Sequence, residues 1–396
     1  MVIIHEQTRD YIYPVTRSQL AIRIKVKKKV ADSCQLLYWN RFKKEATGEL
    51  VAKMRCYARD EFFDYYETII DTVERTKYIK YYFQLTKTGQ NIYYNYYGAT
   101  ILKPTDGFFE YLYTNEKDIY EAPDWSKGTV FYQIFPERFC NGDPTNDPEN
   151  TEPWGATPTR ENYLGGDLQG IINKLDYLEN LGVEALYLTP IFKASSNHKY
   201  DTVDYFQIDP SFGTSDDLKK LVQLCHGKGM KIILDGVFNH CGYFFPPFQD
   251  LLKNGVHSRY KDWFLYERLP LDPENLNYET TGYYRWMPKL RLSNPEVRAY
   301  VLKIARFWMT EAQIDGWRLD VADEVDYTFW HEFRQVVKAI NPQAFILAET
   351  WRENREMLRG DQMDSVMNYL FRDAVVDFFA KKQITPEQFD ARVNRF

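Results

Sequence analysis

The chain has 396 residues, of which 44% are hydrophobic, 17% aromatic and 27% charged, a composition that buries large cores and excludes intrinsic disorder. The length allows two or three domains. A formal net charge of −6 excludes a basic nucleic-acid footprint, and no apolar run is long enough for a membrane-spanning helix.

In chain order, the start Met1-Val2-Ile3-Ile4-His5-Glu6 lacks a basic segment followed by an apolar one, so no secretory signal is expected. Residues 1–122 are rich in tyrosine and β-branched residues. Leu20 to Val26 alternates apolar and polar residues at period two, which predicts a strand. The basic cluster Arg23 to Lys29 reads as one solvated face of that strand or, alternatively, as a polyanion site. Tyr78 to Leu85, a turn at Thr88-Gly89-Gln90-Asn91 and Ile92-Tyr93-Tyr94 predict a hairpin. Several short strands with turns between them predict a β-sandwich, left at Glu121-Ala122-Pro123-Asp124. Most of the tyrosines are expected to serve sheet packing. Five scattered cysteines, Cys34, Cys56, Cys140, Cys225 and Cys241, argue for free thiols in a reducing compartment, hence a soluble cytoplasmic protein.

From about Gly128 the pattern changes to strand, then helix, repeated. Strands are predicted at Val130–Phe135, Ala185–Leu188, Lys231–Asp235, Asp315–Asp320, Phe345–Glu349 and Ser365–Asn368. Leu168, Ile171, Ile172, Leu175, Leu178 and Leu181 fall on one helical face. Leu218, Leu221, Val222 and Cys225 mark a second helix, closed by Gly227 and Gly229. Residues 241–294, rich in Pro, Tyr and Phe, read as an inserted subdomain. Asn294-Pro295-Glu296 then caps a helix whose buried stripe is Val297, Val301, Ile304 and Trp308. Thr385-Pro386-Glu387-Gln388 starts a last helix that runs to Phe396. Alternating β and α units imply a parallel sheet, either open and doubly wound or closed as a (β/α)₈ barrel.

Three apolar strands each end in a carboxylate: Asp235, Asp320 and Glu349. In a parallel barrel all strand C-termini open on one rim, so these acids are expected to converge in one pocket. Arg318 shares a strand face with Asp320 and is expected to favour its ionised form, as a nucleophile needs. Glu349 follows three apolar residues, and desolvation there would raise its carboxyl toward a proton donor's range. One ionised and one protonated carboxyl is the arrangement that glycoside hydrolysis requires. Asn239 and His240 add hydrogen-bond donors at the same rim.

These motifs resemble the α-amylase family of glycoside hydrolases. Asp235-Gly-Val-Phe-Asn239-His240, Gly316-Trp317-Arg318-Leu319-Asp320 and Ala348-Glu349-Thr350-Trp351 are similar to its first three conserved blocks. Met287-Pro288-Lys289-Leu290 resembles the marker of the neopullulanase, cyclomaltodextrinase and maltogenic amylase subfamily, and residues 1–122 resemble its starch-binding-type module. The resemblance implies a (β/α)₈ barrel over 123–396 acting on cyclodextrins, pullulan or starch-derived oligosaccharides. It implies Asp320 as nucleophile and Glu349 as acid/base, with Asp235, Arg318, His240, His198 and Tyr200 lining the sugar site and Tyr200 stacking on the ring. A transferase on the same scaffold, or a glucan-binding protein, remains open. A homodimer through the N-terminal domain is a further implication.

Asn141-Gly142-Asp143-Pro144-Thr145-Asn146-Asp147 alone reads as a plain turn or as a cation loop. The resemblance favours structural Ca²⁺, held by Asn141, Asp143, Asn146, Asp147, the Gly165 carbonyl and Asp167. The family's third catalytic Asp, in a His-Asp pair after the seventh strand, has no counterpart in the sequence, and six strands are found where a barrel needs eight. The expectation is therefore a barrel incomplete at its C-terminus, with little or no hydrolase activity. Asp323, Arg352 and the pair Arg291-Leu292 also depart from the family pattern.

Overall fold

A computed structural model describes residues 2–352 and 355–393. The chain divides into two compact units, one of residues 1–121 with 359–361 and 368–396, the other of 122–358 with 362–367.

The first unit is built on a β-sandwich. The predicted strand runs Gln19–Lys27 and pairs antiparallel with Phe63–Asp71. Its even positions Leu20, Ile22, Ile24 and Val26 are buried. Of the basic cluster, Arg23 pairs with Glu67 at 2.6 Å and the Lys25 ammonium lies 4.2 Å from the Phe63 ring centroid, so these charges sit on the sheet face opposite the core. The hairpin forms between Lys77–Lys87 and Gln90–Asn95. Its turn is tighter than expected, because Thr88 and Gly89 both adopt positive φ and close a two-residue connection. Strand Leu50–Arg59 pairs through its first half with Ser33–Asn40 and through its second with Phe63–Asp71, and so turns the corner between the two sheets. The last helix is Pro386–Val393, and its expected end at Phe396 lies outside the described residues.

The second unit carries six parallel strands in sequence order: Phe131–Ile134, Ala185–Leu188, Lys231–Gly236, Gly316–Leu319, Phe345–Ala348 and Ser365–Val366. It is the barrel-type α/β architecture that the family resemblance implied, where the alternating pattern alone left an open doubly wound sheet possible. Each strand has two faces with different neighbours. Leu186, Leu188, Ile232, Leu234, Trp317, Leu319, Ile346 and Ala348 pack under the helices. Tyr187, Ile233 and Phe345 form a separate interior cluster with Leu347. Such near-continuous apolar strands are what burial on both faces selects. The sixth strand is shorter than predicted and stops before Asn368, whose φ of 50° turns the chain into the next helix.

Helix Ser215–Gly227 starts with a reciprocal Thr214–Asp217 capping box and buries Leu218, Leu221, Val222 and Cys225. Helix Pro295–Glu311 starts where Asn294 accepts from the Glu296 backbone N–H, and its predicted stripe is buried. The expected single helix over 168–181 is instead two, Leu168–Asn173 and Leu175–Asn180, broken at Lys174. Leu181 terminates the second and is exposed rather than buried. Residues 241–294 contain helix Pro246–Asn254 and a set of bridged extended segments closed by Phe248, Phe264 and Tyr278. All five cysteines are free. Among the described residues no helix is long and apolar enough to cross a membrane.

Trp308 ties helix to sheet: its ring stacks on Phe192 at 5.1 Å and its indole N–H donates to the Tyr205 carbonyl at 2.8 Å. Trp308→Ala leaves a cavity and an unpaired carbonyl, and is expected to cost about 3–5 kcal/mol. The drop in thermal midpoint by calorimetry measures it, and a loss below about 1 kcal/mol contradicts this packing role.

Candidate active site

Parallel register sets Asp235 level with Arg318 on neighbouring strands. Side chains two residues apart share a face. Arg318 and Asp320 therefore continue the interior face, as do Asp235 after Ile233 and Glu349 after Leu347. The predicted convergence is observed. Arg318 Nη1 donates to Asp235 at 2.9 and 3.1 Å and to Asp320 Oδ1 at 2.7 Å, while Nη2 lies 2.8 Å from Glu349 Oε2. All four side chains are less than 10% exposed. The carboxylates of Asp320 and Glu349 thus sit on the two terminal nitrogens of a single guanidinium.

Two residues that the sequence reading missed complete this centre. Tyr187, on the second strand, donates its hydroxyl to Asp235 Oδ2 and lies with its ring centroid 5.6 Å from the Arg318 guanidinium. Met367 places its sulfur 3.4 Å from Arg318 Nε. A polar-tipped aromatic inside the apolar run Ala-Leu-Tyr-Leu was the available signal for Tyr187.

The chain turns sharply after Asp320. Val321 has φ 45°, a left-handed conformation that a β-branched residue rarely adopts. The turn directs the Val321 N–H to Glu349 Oε2 at 3.1 Å. Asp323 receives the Trp351 N–H at 3.0 Å, which links the fourth-strand loop to the fifth.

One cation cannot neutralise three buried carboxylates. Burial pushes the Asp320 carboxyl well above the ordinary range, and the charges of Asp235 and Glu349 add to this against the opposing pull of Arg318. Burial likewise raises Asp235 against Arg318. Arg318 favours the ionised form of Asp320, as expected from the sequence, while burial and the charges of Asp235 and Glu349 oppose it and leave the carboxyl raised. Burial opposes the charge of Arg318, but Asp235, with the Tyr187, Tyr200 and Asp320 oxygens, outweighs it and holds the guanidinium firmly protonated.

The predicted rim residues also gather here. Tyr200 donates its hydroxyl to Asp235 Oδ2 at 3.2 Å, and its ring lies 5.8 Å from that of His198. His198 Nδ1 accepts the Tyr200 N–H at 3.1 Å. The loop is fixed by the buried Lys199–Asp209 pair at 2.9 Å. His240 bonds the Thr281 hydroxyl through Nδ1 at 2.9 Å, and its Nε2 is buried without a formed hydrogen bond. Asn239 donates its amide N–H₂ to Thr281 Oγ1 at 2.9 Å and to Glu324 Oε2 at 3.1 Å.

The predicted cation loop folds next to the start of helix Leu168–Asn173. Asp167 caps that helix, and its two oxygens also accept from the Gly142 and Asp143 N–H groups. Asp143 accepts from Thr145, and Asp147 from the Asn141 amide at 2.8 and 3.0 Å. Gly165 has φ 74°, and a Cβ there would come within 2.5 Å of both Asn141 and Asp147 side-chain atoms. Among the described residues no three His, Cys, Asp or Glu side chains group as a metal cluster. The buried side-chain oxygens of Asn141 and Asn146 nevertheless have no hydrogen-bond partner. Burial raises the Asp147 carboxyl, with Asp167 and Asp143 adding to it against the Asn141 hydrogen bond. Orphaned amide oxygens beside crowded carboxylates fit a hard, oxygen-seeking cation.

Residues 133–395 match the family described as Alpha amylase, catalytic domain, and residues 1–115 match Alpha amylase, N-terminal ig-like domain. The chain is 47% identical to the cyclomaltodextrinase of Thermoanaerobacter pseudethanolicus, over 99% of this chain and 68% of that protein. It is 48% identical to neopullulanase 2 of Thermoactinomyces vulgaris, again over 99% and 68% of the two chains. A solved cyclomaltodextrinase superposes with a TM-score of 0.93 at 46% identity, over 99% of this chain and 67% of that one.

The raised Asp320 carboxyl has a consequence for stability. The folded chain keeps a proton that the unfolded chain releases above the ordinary value of 3.8, so stability falls as pH rises from there toward the raised folded value. Asp320→Asn removes this penalty and is expected to raise the thermal midpoint at pH 7. The gain shrinks toward zero as pH falls to about 3.8. A midpoint at pH 7 below that of the unsubstituted chain contradicts the assignment.

Proposed function

The chain belongs to the alpha-amylase family of glycoside hydrolases, and we propose that it hydrolyses α-glucosidic bonds of cyclodextrins, pullulan or starch-derived oligosaccharides with retention. The observation that carries this reading is the sharing of one guanidinium by Asp235, Asp320 and Glu349. Three buried acids around a single fixed cation line the pocket with carboxyl oxygens. Such a pocket stabilises the positive charge that develops at the anomeric carbon more than it stabilises a neutral sugar. Attack requires Asp320 as the carboxylate, the form that the Arg318 guanidinium 2.7 Å from its Oδ1 favours.

Asp320 attacks the anomeric carbon while Glu349 protonates the leaving oxygen. Water then cleaves the glycosyl-enzyme with Glu349 as base. The Val321 N–H and Arg318 hold the Glu349 carboxyl in place. Asp235 and His240 meet sugar hydroxyls, and the Tyr200 ring, fixed through its hydroxyl to Asp235, supplies the stacking surface of the first subsite.

A structural Ca²⁺ fits the loop of Asn141, Asp143, Asn146 and Asp147 with Gly165 and Asp167. The cation would satisfy the orphaned amide oxygens and relieve carboxylate crowding, cross-linking the loop to the helix start without entering the reaction.

Reducing-sugar release from β-cyclodextrin by the purified chain tests the main reading. Asp320→Asn and Glu349→Gln are each expected to lower turnover by about 10³-fold or more while cyclodextrin binding remains measurable by calorimetry. Turnover of either variant within about tenfold of the parent removes the assigned roles. Cyclodextrin binding by the parent without turnover favours the glucan-binding alternative, and longer oligosaccharides at high sugar concentration favour transfer. For the cation, removing Ca²⁺ with EDTA is expected to lower the thermal midpoint of the parent but not of Asp147→Ala. Equal midpoints for the parent with and without the chelator exclude the site.

A further inference from the structure

A neutral imidazole has one N–H, and which nitrogen carries it decides whether the ring donates or accepts at its free end. Burial pushes His240 down to about 4, against a favourable contribution from the Tyr200 backbone, so the ring is neutral at neutral pH. Its Nδ1 faces the Thr281 hydroxyl at 2.9 Å, while Nε2 is buried without a formed hydrogen bond.

The Thr281 hydroxyl has one proton, and its two side-chain neighbours differ in what they can take. The Asn239 amide nitrogen, 2.9 Å away, only donates. That amide is oriented by a charge: Asn239 Nδ2 also lies 3.1 Å from Glu324 Oε2, which is paired with Lys289 Nζ at 3.1 Å. Turning the amide over would set its oxygen against the carboxylate. With Asn239 fixed as donor, the Thr281 oxygen accepts from it, and its own proton is directed to the remaining partner, His240 Nδ1. Backbone bonds keep the parts in register. Leu290 N–H reaches the Asn239 carbonyl at 3.0 Å, Cys241 N–H the Pro288 carbonyl at 3.0 Å, and Thr281 N–H the Met287 carbonyl at 3.1 Å.

We propose that Thr281 is a positioning residue whose hydroxyl donates to Nδ1 of His240, thereby placing the ring's single proton on Nε2 as a donor to a substrate hydroxyl. The Lys289–Glu324 pair, through Asn239, sets the direction of the whole chain of hydrogen bonds. Thr281 comes from the inserted segment rather than from any strand end. The inference rests on the reading of His240 as a sugar-binding group, and it gives that group a defined polarity.

The test uses the full chain labelled with ¹⁵N-histidine and a long-range ¹H–¹⁵N correlation spectrum, in which the two neutral tautomers give different patterns. His240→Gln identifies the signal among the six histidines. The parent is expected to show the Nε2–H tautomer. Thr281→Val removes the hydroxyl at nearly constant shape and is expected to give a mixture, whereas Thr281→Ser restores the parent pattern. Thr281→Ala takes the place of the valine variant if the latter does not fold. In parallel, kcat/KM on β-cyclodextrin is expected to fall about tenfold in the valine variant and to stay within about threefold in the serine variant, the scale of one directed hydrogen bond. An Nδ1–H tautomer in the parent, or an unchanged pattern in the variant lacking the hydroxyl, overturns the proposal. The expected tautomers without turnover in any variant count against the hydrolase reading and leave the positioning role supported.

Discussion

The structure of the site depends on a shortage of positive charge. Arg318 is one guanidinium serving three buried carboxyls. Its planar fork reaches two strands and a loop at once, a geometry that a lysine's single ammonium cannot reproduce. A fully balanced pocket would be more stable. The imbalance is tolerated because Tyr187, Tyr200 and the Val321 N–H supply neutral donors around the acids. Stability is given up at the centre and recovered in the apolar layers on both faces of the sheet.

A second feature is the division of labour between strands and loops. The strands fix the acids with little freedom, since a one-residue slip would turn each to the other face. The rim residues are oriented by connections. The buried Lys199–Asp209 pair holds the loop of His198 and Tyr200. The segment around Met287–Leu290 holds Asn239 and His240 through its backbone. Specificity can therefore change with the loops while the acid centre stays as it is.

Much of this was legible in the sequence, for identifiable reasons. Strands buried on both faces read as short apolar runs, and the acid that closes three of them marks the rim. Asn294 and the Thr214–Asp217 box announce helix starts through side chains that satisfy orphan N–H groups. Other parts were not legible. The break at Lys174 leaves the apolar spacing intact, so periodicity alone reads one helix. Thr281 is one threonine in a long irregular segment, and nothing local ties it to His240. The state of Asp320 is a balance between burial, one cation and two anions. Adjacency to Arg318 reveals only one of those influences.

The left-handed turn at Val321 bears on how this site can be studied. The group that turn presents to Glu349 is a main-chain amide, shared by every genetically encoded residue except proline, whose fixed negative φ is incompatible with the observed 45°. Amino-acid scanning at position 321 would thus register side-chain volume and conformational strain while the hydrogen bond itself went undetected. Its worth becomes measurable only when the peptide link is exchanged for an ester by chemical synthesis or codon reassignment.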